Sequence, residues 1–206
     1  MTPEGFARAY PRLFHVAPAS QLGRIRRLGL RSAAALCEAM GVPDNERDAL
    51  LRRNRPRWTP LPCPDGGPPA WLRWQGMNDV PLRARLDPAV AVEEWRSFIN
   101  GLVFFSASEA AARRLRDAAD RGKGAKPPQA ILAFRTAALL DAGVAPLPCA
   151  FNNGFLDRSA AGPGRRLRRQ DDYRPLSDWP DSARPVEIAV ARALPAGLPF
   201  EVLEDG

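Results

Sequence analysis

Read from the amino end, apolar residues fall first in alternation and then at helical spacing. Leu13-Phe14-His15-Val16 alternates as a short strand, with Phe14 and Val16 on one face and Leu13 and His15 on the other, so His15 projects beside core. Leu22, Ile25 and Leu28 follow three residues apart, Ser20 is placed to cap, and Gly29 suits a left-handed stop, which predicts a helix. Ahead of the strand, Phe6 and Tyr10 fit a short amphipathic turn of helix. Ser32 opens a second helix through Ala33, Leu36, Cys37 and Met40, closed by Gly41. A third starts near Asp44, carries Leu50 and Leu51, and ends in Arg52, Arg53, Arg55 and Arg57, a basic run suited to the helix dipole and to solvent.

Proline then breaks the pattern. Pro56, Pro60, Pro62, Pro64, Pro68 and Pro69, with Gly66 and Gly67, predict a loop or lid without regular structure from Asn54 to Ala70. Trp71 to Trp74 reads as an edge strand, and Asn78-Asp79-Val80-Pro81-Leu82 as a turn. Asp87-Pro88 makes a helix start, with Val92, Trp95, Ile99 and Leu102 at intervals of three and four and Gly101 as the stop. Leu102 to Phe105 is a continuous apolar run, the pattern of a central strand buried on both faces.

Ser106 or Ser108 caps an Ala- and Arg-rich helix reaching Asp120, and Gly122 to Pro128 reads as a mobile basic loop. Ala130 to Phe134 is a further strand, Thr136 to Asp141 one turn of helix, and Phe151-Asn152-Asn153-Gly154 a strand end breaking into a turn. The stretch from Arg158 to Arg174 holds Arg165, Arg166, Arg168 and Arg169, a loop that is either solvated or holding an anion. Val186 to Val190 alternates around the single carboxylate of Glu187, and Phe200 to Leu203 supplies a closing strand. Short strands separated by helices early and loops late predict one α+β domain over residues 1 to 206, with a small, partly antiparallel sheet and flanking N-terminal helices.

Composition narrows the chemistry. The 206 residues, 45% hydrophobic, suffice for one well-buried core. No apolar run approaches the roughly 18 residues of a membrane span and no leader pattern opens the chain, so the expectation is a cytoplasmic protein. Cys37, Cys63 and Cys149 are odd in number and widely spaced, with one histidine in the chain, which supports neither a disulfide framework nor a metal site. Any Ser-His or Cys-His pair would have to use His15, and nothing in the sequence places a nucleophile beside it. The net charge of +7 comes almost wholly from arginine, which suits phosphate-bearing partners; an Arg-preferring, GC-rich coding sequence accounts for it equally. Neither G-x-x-x-x-G-K-[ST] nor G-x-G-x-x-G is present.

Three pieces in this order carry a resemblance: Leu13-Phe14-His15-Val16 with Gly29-Leu30 after its helix, Val103-Phe104-Phe105, and Pro185-Val186-Glu187-Ile188-Ala189-Val190 followed by Leu194-Pro195. The chain resembles the DarT-type branch of ADP-ribosyltransferases and, closer still, a bacterial group of related domains. The resemblance implies an ADP-ribosyltransferase-like split sheet and NAD as the substrate that supplies ADP-ribose. It implies His15 as a group gripping an NAD ribose, Phe104 and Phe105 as the floor of the nicotinamide pocket, and Glu187 as the catalytic carboxylate. It also implies an arginine near the NAD, a role for which Arg53, Arg55 and Arg57 compete; Arg55 is taken as the catalytic candidate and Arg53 as NAD-binding.

The chemistry suits these residue types. Breaking a glycosidic bond passes through an oxocarbenium-like transition state, which a carboxylate beside the ribose stabilises, while arginine suits a pyrophosphate. The expectation is ADP-ribosyl transfer to a macromolecule, a nucleic acid in preference to a protein, with no metal and no membrane; a protein partner or antitoxin is not legible. The alternatives are an NAD glycohydrolase and a non-catalytic relative that binds nucleotide or nucleic acid.

Overall fold

The computed structural model of the protein describes residues 1–118, 126–152 and 167–204. Helix α1 (Pro3–Ala9) begins at Thr2, whose side chain accepts from the Gly5 N–H, and leads into β1 (Arg12–Pro18). Helix α2 (Leu22–Leu28) follows a 3-10 turn containing Ser20, so Ser20 lies inside that turn and Gln21 stands at the cap position. Ser32 caps α3 (Ala33–Ala39) as expected, accepting from the Ala35 N–H at 3.2 Å. Next comes α4 (Asp44–Arg52), with Asp44 and Glu46 at its positive end.

The proline-rich stretch does hold regular structure. Strands β2 (Thr59–Leu61) and β3 (Ala70–Leu72) form an antiparallel pair, with Pro60 opposite Trp71. Proline survives there because the pair is a two-stranded sheet whose outer edges need no donor from it. Asn78 to Leu82 is likewise not a bare turn: Asn78 precedes α5 (Asp79–Arg83), in which Pro81 falls in the first turn, where no N–H is needed. Asp87-Pro88 forms a turn of its own, the Asp87 side chain accepting from the Ala89 N–H, and α6 (Val92–Asn100) starts four residues later than Pro88.

Strand β4 (Leu102–Phe105) is followed by α7 (Glu109–Asp117), capped by Ser108 rather than Ser106. Then come β5 (Gln129–Arg135), α8 (Thr136–Asp141), β6 (Leu147–Cys149), β7 (Glu187–Ala191) and β8 (Glu201–Leu203). The expected helix end at Asp120, the part of the Gly122 to Pro128 loop up to residue 125, Asn153-Gly154 of the expected turn, and Arg165 with Arg166 lie outside the described residues.

Two three-stranded antiparallel sheets organise these elements, one in the order β1-β5-β8 and the other β4-β7-β6. The α+β class expected from the pattern is therefore observed. Strand β4 is not central: β7 is, and β4 lies at the edge facing β1. The two faces of β4 bury into different clusters. Val103 and Phe105 join Leu13, Leu132, Phe134 and Ile188, whereas Leu102 and Phe104 pack with Trp95, Tyr173 and Ala189. Among the described residues, no helix is long and apolar enough to cross a membrane.

Gly29 closes α2 at φ +80°, and a β-carbon there would lie 2.1 Å from the Leu194 carbonyl oxygen. The contact is held by the Leu194 N–H donating to Leu30 O (2.7 Å) and Ser32 N–H to Arg192 O (2.7 Å). Gly29-Leu30 and Leu194-Pro195, far apart in sequence, thus dock on one another at the end of β7.

Candidate functional site

Strands β1 and β4 meet at one residue pair. The Phe14 N–H donates to Ser106 O (3.0 Å) and the Ser106 N–H to Phe14 O (2.8 Å), and among the described residues the two sheets share no further ladder. Backbone groups along a strand alternate in direction, so Phe104, two residues before Ser106, also turns its carbonyl toward β1. Left without a donor, such a carbonyl would cost about 1–3 kcal/mol if buried.

His15 supplies the donor. Its Nδ1 lies 2.8 Å from Phe104 O, and its ring meets that of Phe105 edge-on at 5.8 Å. A carbonyl only accepts, so the chemistry assigns the proton to Nδ1 and leaves Nε2 as an acceptor. Loss of hydration brings the imidazole pKa down to about 4, against the pull of the Phe104 carbonyl, and the positive charge of Arg73 adds to the fall. At neutral pH the ring is uncharged. The backbone bond expected by default for a half-buried histidine is present, and it falls where the two sheets part.

Glu187 opens the central strand β7, opposite Cys149 of β6, and is 8% exposed. It is therefore not an edge carboxylate facing water. The Tyr173 hydroxyl donates to its Oε1 at 2.8 Å. Burial, with the charge of Glu187 adding, raises the Tyr173 pKa well above the usual phenol value, so the phenol stays a donor. Cys149 is pushed up to about 12, first by burial and then by the charges of Glu187 and Asp172, and so remains a thiol. Arg168 stacks over Phe151 at 4.6 Å and donates to Asn152 O (3.2 Å); burial lowers its pKa while Tyr173 and Glu187 pull it upward. Arg168 is thus part of this buried group rather than of a solvated loop, whereas Arg169 pairs with Asp87 at 2.6 Å on the surface.

Phe104 joins the two halves. Its carbonyl accepts from His15, and its ring packs 6.1 Å from that of Tyr173, which holds Glu187. Phe105, 2% exposed, points the other way and packs edge-on against Phe134 at 5.7 Å.

The arginines of the α4 terminus separate. Arg53 and Arg57 are exposed. Arg55 is buried, its Nε donating to Arg73 O (2.9 Å), its Nη1 to Leu50 O and its Nη2 to Asn100 Oδ1 (3.2 Å). Burial lowers its pKa to about 10, so it keeps its charge at neutral pH. Its donors are committed to tying α4, α6 and the segment after β3 together, which places Arg55 as a structural cation behind Arg73.

Arg73 was not legible in the sequence as a site residue. It is half-buried, stacks on Trp58 at 5.4 Å, and is the cation whose field reaches His15. Tyr173 was missed as well. It sits in an irregular stretch, and only the fold brings it to Glu187.

No group of three or more metal-ligating side chains gathers among the described residues. A surface groove of about 530 Å³, lined by Phe98, Leu102 and Ala191 among others, lies at the opposite end of the β4–β7 ladder from Glu187. It includes neither His15 nor Glu187.

A family described as "Family of unknown function (DUF7002)" covers residues 11–197, and the chain belongs to it. No curated protein and no solved structure matches the chain.

Proposed function

We propose that this member of the DUF7002 family is an NAD-dependent ADP-ribosyltransferase with an ADP-ribosyltransferase-like fold, acting in the cytoplasm on a macromolecular acceptor, a nucleic acid in preference to a protein. The observation that carries the reading is the position of Phe104 between a neutral histidine and a buried carboxylate at the parting of two sheets. On this reading the substrate is held by His15 as an acceptor, Arg73 as a cation and Glu187 as a carboxylate.

Those three groups fit NAD, which offers ribose hydroxyls to donate, a pyrophosphate to neutralise, and a glycosidic bond whose cleavage develops positive charge. His15 binds as an uncharged acceptor, because protonation would turn Nε2 into a second donor. Arg73, braced from behind by Arg55 and from one face by Trp58, takes the part of the anion-binding arginine. Glu187 stabilises developing positive charge, and the Tyr173 phenol, donating to Oε1, helps to orient the carboxylate.

Incubation with NAD and quantitation of released nicotinamide tests the reading. Release is expected, and free ADP-ribose accumulating without an acceptor would instead make the protein a hydrolase. Nucleotide binding with no nicotinamide release would make it a binding module.

A further inference from the structure

A second cluster, outside the parting of the sheets, joins α2 to the loop between β2 and β3. Arg24 of α2 is 8% exposed, and its Nε and Nη1 make no hydrogen bond among the described residues. Its Nη2 donates to the Pro68 carbonyl (2.6 Å) and to Cys63 Sγ (3.1 Å). Cys63 in turn donates to Asp65 Oδ1 at 2.6 Å, and Asp65 pairs with Arg27 at 3.5 Å. A guanidinium removed from water and under-supplied with acceptors is costly unless an anion forms beside it. The atom aimed at from inside the protein is a sulfur on a half-exposed loop.

We propose that Cys63 is a modification site, a nucleophilic thiol built to attack soft electrophiles, with hydroperoxides as the natural class. The sulfur attacks the distal peroxide oxygen; an S–O bond forms as the O–O bond breaks. Sulfur is oxidised by two electrons, the peroxide is reduced to an alcohol or water, and the thiol proton leaves through Asp65 to the departing oxygen. Arg24 holds the negative charge that gathers on sulfur during the attack. Cys37 and Cys149, both 0% exposed, serve as unreactive references in the same molecule.

The test is the rate of carbamidomethylation of each cysteine in the full chain, followed by peptide mass spectrometry in buffer and in urea at one pH. Native Cys63 is expected to react at least tenfold faster than Cys63 of the urea-unfolded chain, while native Cys37 and Cys149 stay unlabelled. Brief hydrogen peroxide followed by a sulfenic-acid-trapping dione is expected to mark Cys63 alone. A native Cys63 rate equal to or below the unfolded rate overturns the proposal. Arg24→Lys is expected to cut the native rate several-fold, and an unchanged rate in that folded variant would remove Arg24 from the account. If Arg24→Lys unfolds, shown by labelling of Cys37 and Cys149, the native-to-unfolded ratio of the unaltered protein still decides.

Discussion

His15 Nδ1 occupies the place of a strand donor to Phe104, 2.8 Å from its carbonyl, at the position where the ladder between β1 and β4 stops. The bond has two consequences. It satisfies an edge carbonyl, and it turns the remaining ring nitrogen into an acceptor.

Replacing His15 by Ala removes both. The variant is expected to lose about 1–3 kcal/mol of stability in urea unfolding and to bind NAD more weakly by a similar amount. His15→Gln, which keeps an N–H to offer, should recover more of the stability than of the NAD affinity. Equal recovery of both, or neither lost in Ala, would separate His15 from the site.

The same residue predicts a pH dependence. Its pKa is about 4 folded and near 6.5 unfolded, so between those values the unfolded chain binds more protons and stability rises with pH. Stability should therefore be lost as pH falls from about 6.5 to 4, by up to about 3 kcal/mol, and the His15→Gln variant should lack that component. Unfolding curves at a series of pH values check it.

Tyr173→Phe deletes the phenolic donor to Glu187 Oε1 and leaves the ring in its aromatic cluster. The chain should fold, and turnover should drop about tenfold, the size of one hydrogen bond to a charged group. A folded Tyr173→Phe protein with unchanged turnover would contradict the role given to the pair.

Two glycines with positive φ give a matched stability test. Gly29→Ala brings a β-carbon to 2.1 Å from Leu194 O, whereas Gly41→Ala at φ +67° meets nothing within 4 Å. Gly41→Ala should cost about 1 kcal/mol from left-handed strain alone, and Gly29→Ala several times that. Equal losses in thermal or urea unfolding would mean that the docking of Gly29 on Leu194 is not fixed.

Much of this architecture is written locally. The alternation of Leu13 to Val16, the Ser32 and Ser108 caps and the Thr136–Asp141 turn depend on neighbours within a few residues, and each element is where the pattern puts it. The β2–β3 pair was not legible because proline counts against a strand unless its edge is known to be unpaired, which is a tertiary fact. Arg55 read as part of a basic helix end and, through the resemblance, as the catalytic candidate competing with Arg53 and Arg57; the carbonyls of Leu50 and Arg73 with the Asn100 amide, which give it a structural role, are tertiary partners without a local signal. His15, Phe104 and Glu187 were singled out in the sequence, but the phenol of Tyr173 and the stacked Arg73 come from stretches without periodicity and had no local signal.

Arg55→Met should accordingly destabilise by about 3 kcal/mol or more, since it strands buried acceptors, while Arg53→Ala at the exposed end of α4 should change stability by less than about 0.5 kcal/mol. Urea unfolding of the two variants side by side measures the difference. Equal effects would return Arg55 to the solvated run.

The most direct measurement of the central claim uses NAD labelled in its ADP-ribose part, offered with separate pools of DNA, RNA and protein to the unaltered chain and to Glu187→Gln. The account predicts nicotinamide release with label on a nucleic acid, and a rate about a hundredfold or more lower in the folded Gln variant, on the order of 3 kcal/mol of lost electrostatic stabilisation. No nicotinamide release from the folded protein in the presence of any pool, or a rate unchanged by Glu187→Gln, would contradict it.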